Sequence, residues 1–181
     1  EAIRRAIRAG VKSIEHGQLI DEPTMKLIAE KGVWLSMQPF IGEGNNHYTN
    51  PVQQAKHELV VQGTDRAYQL AKKYGVKLAW GTDLLFSPAN ARNQNLNIEK
   101  MTRWFSNFEI LKMITHDNAE LLALSGRRNP YPGKLGVIEE GALADLIVVD
   151  GNALEDIKVL TDPGKNMLLI MKDGKIYKND L

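Results

Sequence analysis

Apolar residues recur at helical spacing in Ala2, Ile3, Ala6, Ile7 and Ala9, and Gly10 closes the run. Val11 to Glu15 then reads as a short strand. Asp21-Glu22-Pro23 combines an N-cap residue with a proline near the first helical position. The stripe of Met25, Leu27, Ile28 and Ala29 that follows predicts a helix, which Gly32 stops. Val33 to Met37 is the next strand. After Gln38-Pro39 the segment from Gly42 to Asn50 is rich in Gly and Asn and reads as a loop. Asn50-Pro51 opens a long helix that reaches Tyr74 and ends at Gly75, and Val76 to Trp80 is a third strand.

Mostly apolar strands separated by helices are the pattern of βα units, with a parallel sheet covered by helices. In such sheets ligands bind at the carboxyl ends of the strands. His16, Gln38 and Asp83 all fall there. Beyond Asp83, Leu84 to Asn97 carries Pro88 and several asparagines with little apolar periodicity, and reads as a loop lying over the site. Ser106-Asn107-Phe108-Glu109 has capping-box form ahead of Ile110, Leu111, Met113 and Ile114, and Thr115 is the expected cap of a further helix ending before Gly126. Composition then changes. Gly126 to Gly136 is rich in Arg, Pro and Gly, and the remainder is strand-like: Ala144 to Val149, Met167 to Met171 and Ile176-Tyr177, with Asp173-Gly174 as a two-residue hairpin turn. A domain boundary is expected near residue 126, separating 1–125 from 126–181.

The 181 residues are 43% hydrophobic and 25% charged with a net charge of +1, a balance that gives no electrostatic footprint for nucleic acid. A membrane-spanning helix needs roughly 20 consecutive apolar residues, and the longest apolar stretches, Leu146 to Val149 and Met167 to Met171, are strand-sized. Cysteine is absent, so His, Asp and Glu are left as metal ligands. Glu1 to Ala9 resembles the end of a helix rather than a leader sequence, so further sequence is expected upstream, and localisation is left open.

Ser13-Ile14-Glu15-His16-Gly17 and Gly81-Thr82-Asp83 each close a short apolar strand with one potential metal ligand. That pairing points to a metal-dependent hydrolase, a class whose sites use three or four protein ligands. The blander readings are a hydrogen-bonded surface histidine at position 16 and a turn-capping aspartate at position 83. Glu15 should face away from His16 by strand alternation. His47 and Tyr48 are loop residues within reach of a substrate, although a solvated loop explains them as well. His57 and His116 read as surface helix residues, and Arg127-Arg128 as a solvated linker feature.

The ordered set Ala9-Gly10-Val11, Ser13 to Gly17, Gly81-Thr82-Asp83, Asn118-Ala119-Glu120-Leu121-Leu122, Gly133-Lys134-Leu135-Gly136 and Gly141 to Asp150 resembles the carboxy-terminal half of the amidohydrolase superfamily. Within it the chain is similar to the imidazolonepropionase-like and Xaa-Pro dipeptidase branch. The resemblance implies an α/β fold comprising strands six to eight of a (β/α)8 TIM-type barrel, plus part of a small β-sandwich. It implies one or two divalent metals, usually zinc, with His16 as the sixth-strand ligand and Asp83 as both metal ligand and general base. The implied reaction is hydrolysis of C–N bonds in a small amide or dipeptide, Xaa-Pro included, by a metal-activated water. The family's remaining ligands have no counterpart in this chain.

Three barrel strands leave open hydrogen-bonding edges. The chain alone is therefore expected to bind zinc weakly and to be catalytically inactive. The simplest expectation is that it is a piece of a longer enzyme; otherwise it should pair with an amino-terminal half or self-associate as a homo-oligomer. The competing class of function is a noncatalytic α/β association module.

Overall fold

The computed structural model describes residues 1–42, 48–84 and 88–181, and the side chains of 89 and 90 are outside the description. His47, singled out as a loop residue within reach of a substrate, lies outside the described residues. The chain divides into two compact units, Glu1–Gly81 and Thr82–Leu181. The compositional change near residue 126 falls inside the second.

In the first unit, helix α1 (Ala2–Arg8), strand β1 (Ser13–Glu15), helix α2 (Glu22–Glu30), strand β2 (Trp34–Met37), helix α3 (Pro51–Tyr74) and strand β3 (Leu78–Trp80) alternate as the sequence predicts. The strands form a parallel sheet in the order β1-β2-β3. Each is a little shorter than its apolar run, although the ladder extends to Lys12, whose carbonyl accepts from Trp34 N–H at 2.9 Å. Every residue of the central strand β2 is buried, as expected for a strand covered on both faces.

The caps act as their residue types require. Asp21 accepts from Thr24 N–H through its side chain, with Pro23 in the first turn of α2. Asn50 accepts from the N–H groups of Val52 and Gln53, with Pro51 in the first turn of α3. The buried stripe of α3 is Gly63, Thr64, Ala67, Tyr68 and Ala71. Against it lie the side chains of a core that includes Met25, Ile28, Leu35 and Met37, all with no exposed surface. Full burial of each such side chain contributes roughly 1.5–3 kcal/mol. Gly63 permits the closest approach: a Cβ there would stand 2.4 Å from the Gln18 carbonyl oxygen. A mid-helix glycine that weakens α3 locally thus lets it press on the segment just after His16.

The second unit contains α4 (Pro88–Arg92), α5 (Leu96–Lys100), α6 (Asn107–Lys112), α7 (Asn118–Ala123) and α8 (Pro163–Asn166), with an antiparallel sheet of β4 (Leu146–Val149), β5 (Met167–Lys172) and β6 (Lys175–Asn179) in that order. Two sequence expectations are corrected here. Leu84 to Asn97 contains the helix α4 and the start of α5 rather than a continuous loop. Asn95 Nδ2 donates to the Leu160 carbonyl at 2.9 Å, a tertiary contact that local periodicity does not register. Thr115 caps no helix. It lies in a π-helical segment, Met113–Asp117, that joins α6 to α7, and its hydroxyl donates back to the Leu111 carbonyl at 2.7 Å. The capping box at Ser106 and Glu109 is present as predicted. So is the Asp173-Gly174 turn between β5 and β6, with both residues at positive φ (51° and 74°) as a type I′ hairpin requires. Among the described residues no helix is long and apolar enough to cross a membrane.

Candidate active site

The register of the parallel sheet brings His16 and Gln38 to one edge. Glu15 is level with Ser36, and Met37 with Trp80. His16 continues the ladder for one more step, its N–H donating to the Ser36 carbonyl at 2.8 Å. On the other side of β2, Gly81 N–H donates to the Met37 carbonyl at 3.4 Å. His16 and Gly81 therefore flank the carboxyl end of the central strand, and Asp83 follows Gly81 in the chain after Thr82.

His16 leaves the strand in a left-handed conformation, φ 69°, and Asp83 also has positive φ, 52°. Apart from the hairpin residue Asp173, these are the only non-glycine positions with positive φ among the described residues. Such backbone costs a residue with a Cβ roughly 1–2 kcal/mol, and strain of this kind concentrates at functional sites. Both residues are exposed, whereas the polar groups behind His16 are not. Gln38 is 5% exposed and Gln18 6%.

Gln38 orients the imidazole. Its Oε1 lies 2.9 Å from His16 Nδ1 and accepts from Gln18 Nε2 at 3.1 Å. A carbonyl oxygen can only accept, so Nδ1 carries the proton and Nε2 the lone pair. That tautomer is the one a metal ligand needs, and an oxygen acceptor behind the distal nitrogen is the usual support for a ligating histidine. The donor set fits a divalent ion such as zinc as far as it goes: an oriented imidazole and, farther along the chain, a carboxylate. Gln38 stood out in the sequence only by its place at a strand end. Its role depends on the pairing of β1 with β2, which one sequence does not display. Glu15 is exposed, in keeping with an alternation that keeps it from the interior.

Other histidines are less peripheral than their helical spacing suggests. His57 is half-buried and its ring meets that of Tyr48, with centroids 5.4 Å apart at 53°. His116 is half-buried too. With Asp117 and Glu120 it gathers three ligand-type side chains whose donor atoms lie within 4.8 Å of one another. His116 Nδ1 is 2.9 Å from Asp117 Oδ1, while Nε2 is 3.9 Å from Glu120 Oε1. The Lys112 ammonium also pairs with Asp117 and already neutralises the carboxylate a cation would need. This group is a charge network along the helix. Beside it a cavity of about 230 Å³ is lined by residues of two motifs flagged in the sequence, Ala119 and Glu120 from one and Gly133, Lys134 and Leu135 from the other.

An α/β unit with ligand-type residues at one strand edge defines a class, and comparison with known proteins supplies the family. Residues 1–177 match the amidohydrolase family, and the chain belongs to it. The ochratoxinase of Aspergillus niger is 33% identical over 180 residues, covering 97% of this chain and 36% of the relative. A crystal structure of a prolidase complexed with N-methylphosphonate-L-proline superposes with a TM-score of 0.82 at 33% identity, over 98% of this chain and 43% of that one. A Xaa-Pro dipeptidase with bound methionine in its active site gives a TM-score of 0.79 at 31% identity, over 98% and 42%. The chain thus spans well under half the length of the relatives it matches.

Proposed function

We propose that this chain is the carboxy-terminal portion of a metal-dependent amidohydrolase that cleaves C–N bonds in small amides or dipeptides, Xaa-Pro dipeptides among them. In this reading β1, β2 and β3 are strands six, seven and eight of a (β/α)8 barrel. Residues 1–125 are the barrel part and residues 126–181 are strands of a β-sandwich. The observation that carries the proposal is the Gln38 acceptor behind His16 Nδ1, at 2.9 Å. Support comes from family membership, and from relatives that include a prolidase with a proline phosphonate and a dipeptidase with an amino acid bound.

His16 would hold the metal through Nε2, with Gln38 fixing the ring, and Asp83 would contribute a carboxylate oxygen. Zinc, when bound, lowers the pKa of a water molecule to roughly 7 and polarises the scissile carbonyl. Asp83 would act as the general base, accepting a proton from the attacking water and passing it to the departing amine, a role that needs its carboxylate within hydrogen-bond reach of both. Two ligands leave the chelate incomplete, so the segment alone binds zinc weakly and does not catalyse. The remaining ligands come from an amino-terminal half, or barrel layers are completed between copies.

The test is zinc content and hydrolysis of Xaa-Pro dipeptides by the chain alone and by the chain combined with the amino-terminal half of a related prolidase. Activity should appear only in the combination and vanish with His16→Ala or Asp83→Asn. Catalysis by the chain alone, or activity surviving both substitutions, overturns the proposal. Zinc-independent association of the two halves without hydrolysis would instead favour a noncatalytic module.

A further inference from the structure

Gln18 follows His16 and Gly17 in the chain and is 6% exposed, so its side-chain amide is set almost as deeply as that of Gln38, at 5%. Its backbone is held from both sides. Gly17 turns the chain at φ 77°, where a Cβ would stand 2.7 Å from Leu35 Cδ1, and the Gln18 carbonyl oxygen is seated against Gly63 of α3. From that position Gln18 Nε2 donates to Gln38 Oε1 at 3.1 Å, the same oxygen that faces His16 Nδ1 at 2.9 Å.

The two amides and the imidazole form one hydrogen-bond circuit with two self-consistent settings. In the observed one, Gln18 Nε2 and His16 Nδ1–H both donate to Gln38 Oε1, and His16 Nε2 carries the lone pair. In the other both amides are turned over: Gln38 Nε2 donates to Gln18 Oε1 and to His16 Nδ1, and the ring proton sits on Nε2. Each setting makes the same number of hydrogen bonds, so His16 and Gln38 by themselves do not choose between them. A mixed setting opposes donor to donor or acceptor to acceptor beside buried amides, where water does not make good the loss. Only the observed setting presents a lone pair on Nε2. We propose that Gln18 is a positioning residue for the metal ligand: as the donor behind Gln38 it fixes the amide with its oxygen towards His16, and so selects the Nδ1–H tautomer. The assignment rests on the hydrolase reading above and deepens it, because readiness to bind metal is set by a residue that touches neither metal nor substrate.

The tautomer is readable without metal or turnover. Ring-nitrogen chemical shifts are measured on chelator-treated chain carrying isotope-labelled histidine, in mildly alkaline buffer where imidazoles are neutral. The signals of His16 are assigned by their loss in His16→Ala. Wild type should carry the proton on Nδ1. Gln18→Glu exchanges the donor for an acceptor of the same shape, so the Gln38 amide should turn over and the His16 proton should move to Nε2. Gln18→Met removes the donor and should leave a mixture of the two tautomers, and it carries the test if a buried carboxylate prevents folding. In the chain combined with the amino-terminal half of a related prolidase, Gln18→Glu should also bind zinc about tenfold more weakly, although an added carboxylate near a cation would by charge alone strengthen binding. A wild-type proton on Nε2, an unchanged Nδ1–H tautomer in the variants, or zinc binding by Gln18→Glu at or above wild-type strength would overturn the assignment. Failure of zinc-dependent hydrolysis leaves the tautomer shifts as they are and refutes the hydrolase reading alone. Hydrolysis by the assembled wild type, with the Nδ1–H tautomer retained in the variants, refutes the role of Gln18 alone.

Discussion

His16 Nδ1 and Gln38 Oε1 stand 2.9 Å apart across the β1–β2 pair, and Gln18 donates to the same oxygen from behind. An exposed imidazole on a left-handed residue is thereby tied to a buried amide, which restricts the rotation of the ring.

Replacing Gln38 by Leu removes that acceptor while keeping a side chain of similar reach. In the completed two-half assembly we expect zinc affinity to fall about 10- to 100-fold. The check is competition against a chromophoric chelator. An unchanged zinc affinity with native circular dichroism would show that Gln38 does not support the ligand.

Gly63→Ala tests the contact between α3 and the segment after His16. Alanine favours a helix over glycine by about 1 kcal/mol, but its Cβ would stand 2.4 Å from the Gln18 carbonyl oxygen, which is backbone and cannot swing aside. Overpacking of this kind costs about 1–3 kcal/mol, so urea denaturation should give a net loss of stability. A gain would mean that the contact relaxes without strain.

Asp21 links α1 to α2, and its acid limb is predictable. Hydrogen bonds from the Thr24 side chain, then the Arg4 guanidinium, then the Thr24 backbone hold its carboxyl at about 2, below the ordinary 3.8. A depressed folded value means that the unfolded chain binds the proton more readily. The contribution is therefore complete above about pH 4 and is lost as pH falls from there towards 2. Melting temperatures of Asp21→Asn should lie below wild type at pH 7 and converge with it near pH 2. Parallel curves over that interval would refute the linkage.

Ser106→Ala removes one half of the capping box, in which Ser106 Oγ accepts from Glu109 N–H at 3.3 Å and Glu109 Oε2 accepts from Ser106 N–H at 2.8 Å. The expected cost is about 1 kcal/mol, read from chemical denaturation. The change should leave zinc binding by the assembled protein unaltered.

Local signals foretold several elements from a cap or a turn residue alone. Asp21, Asn50, Ser106 and the Asp173-Gly174 pair all do in three dimensions what their side chains do in peptides. The misreadings arose where distant contacts decide. Asn95 is drawn to the Leu160 carbonyl, and Thr115 turns its hydroxyl to Leu111 within a π-helical segment instead of capping. For the site, His16 and Asp83 were visible as strand-end residues. The Gln38 support and the Tyr48–His57 contact were not, because each needs strand pairing or loop closure to bring its partners together.

If His16 and Asp83 hold a metal as proposed, their positive φ sets foldability against chelation. A library randomised at both codons and selected only for heat resistance should drift to glycine or asparagine, the residues that tolerate such dihedrals best. The same library, combined with the amino-terminal half of a related prolidase and selected for zinc retention, should keep histidine and aspartate. Divergence between the two selections would mark the pair as functional before any substrate is known.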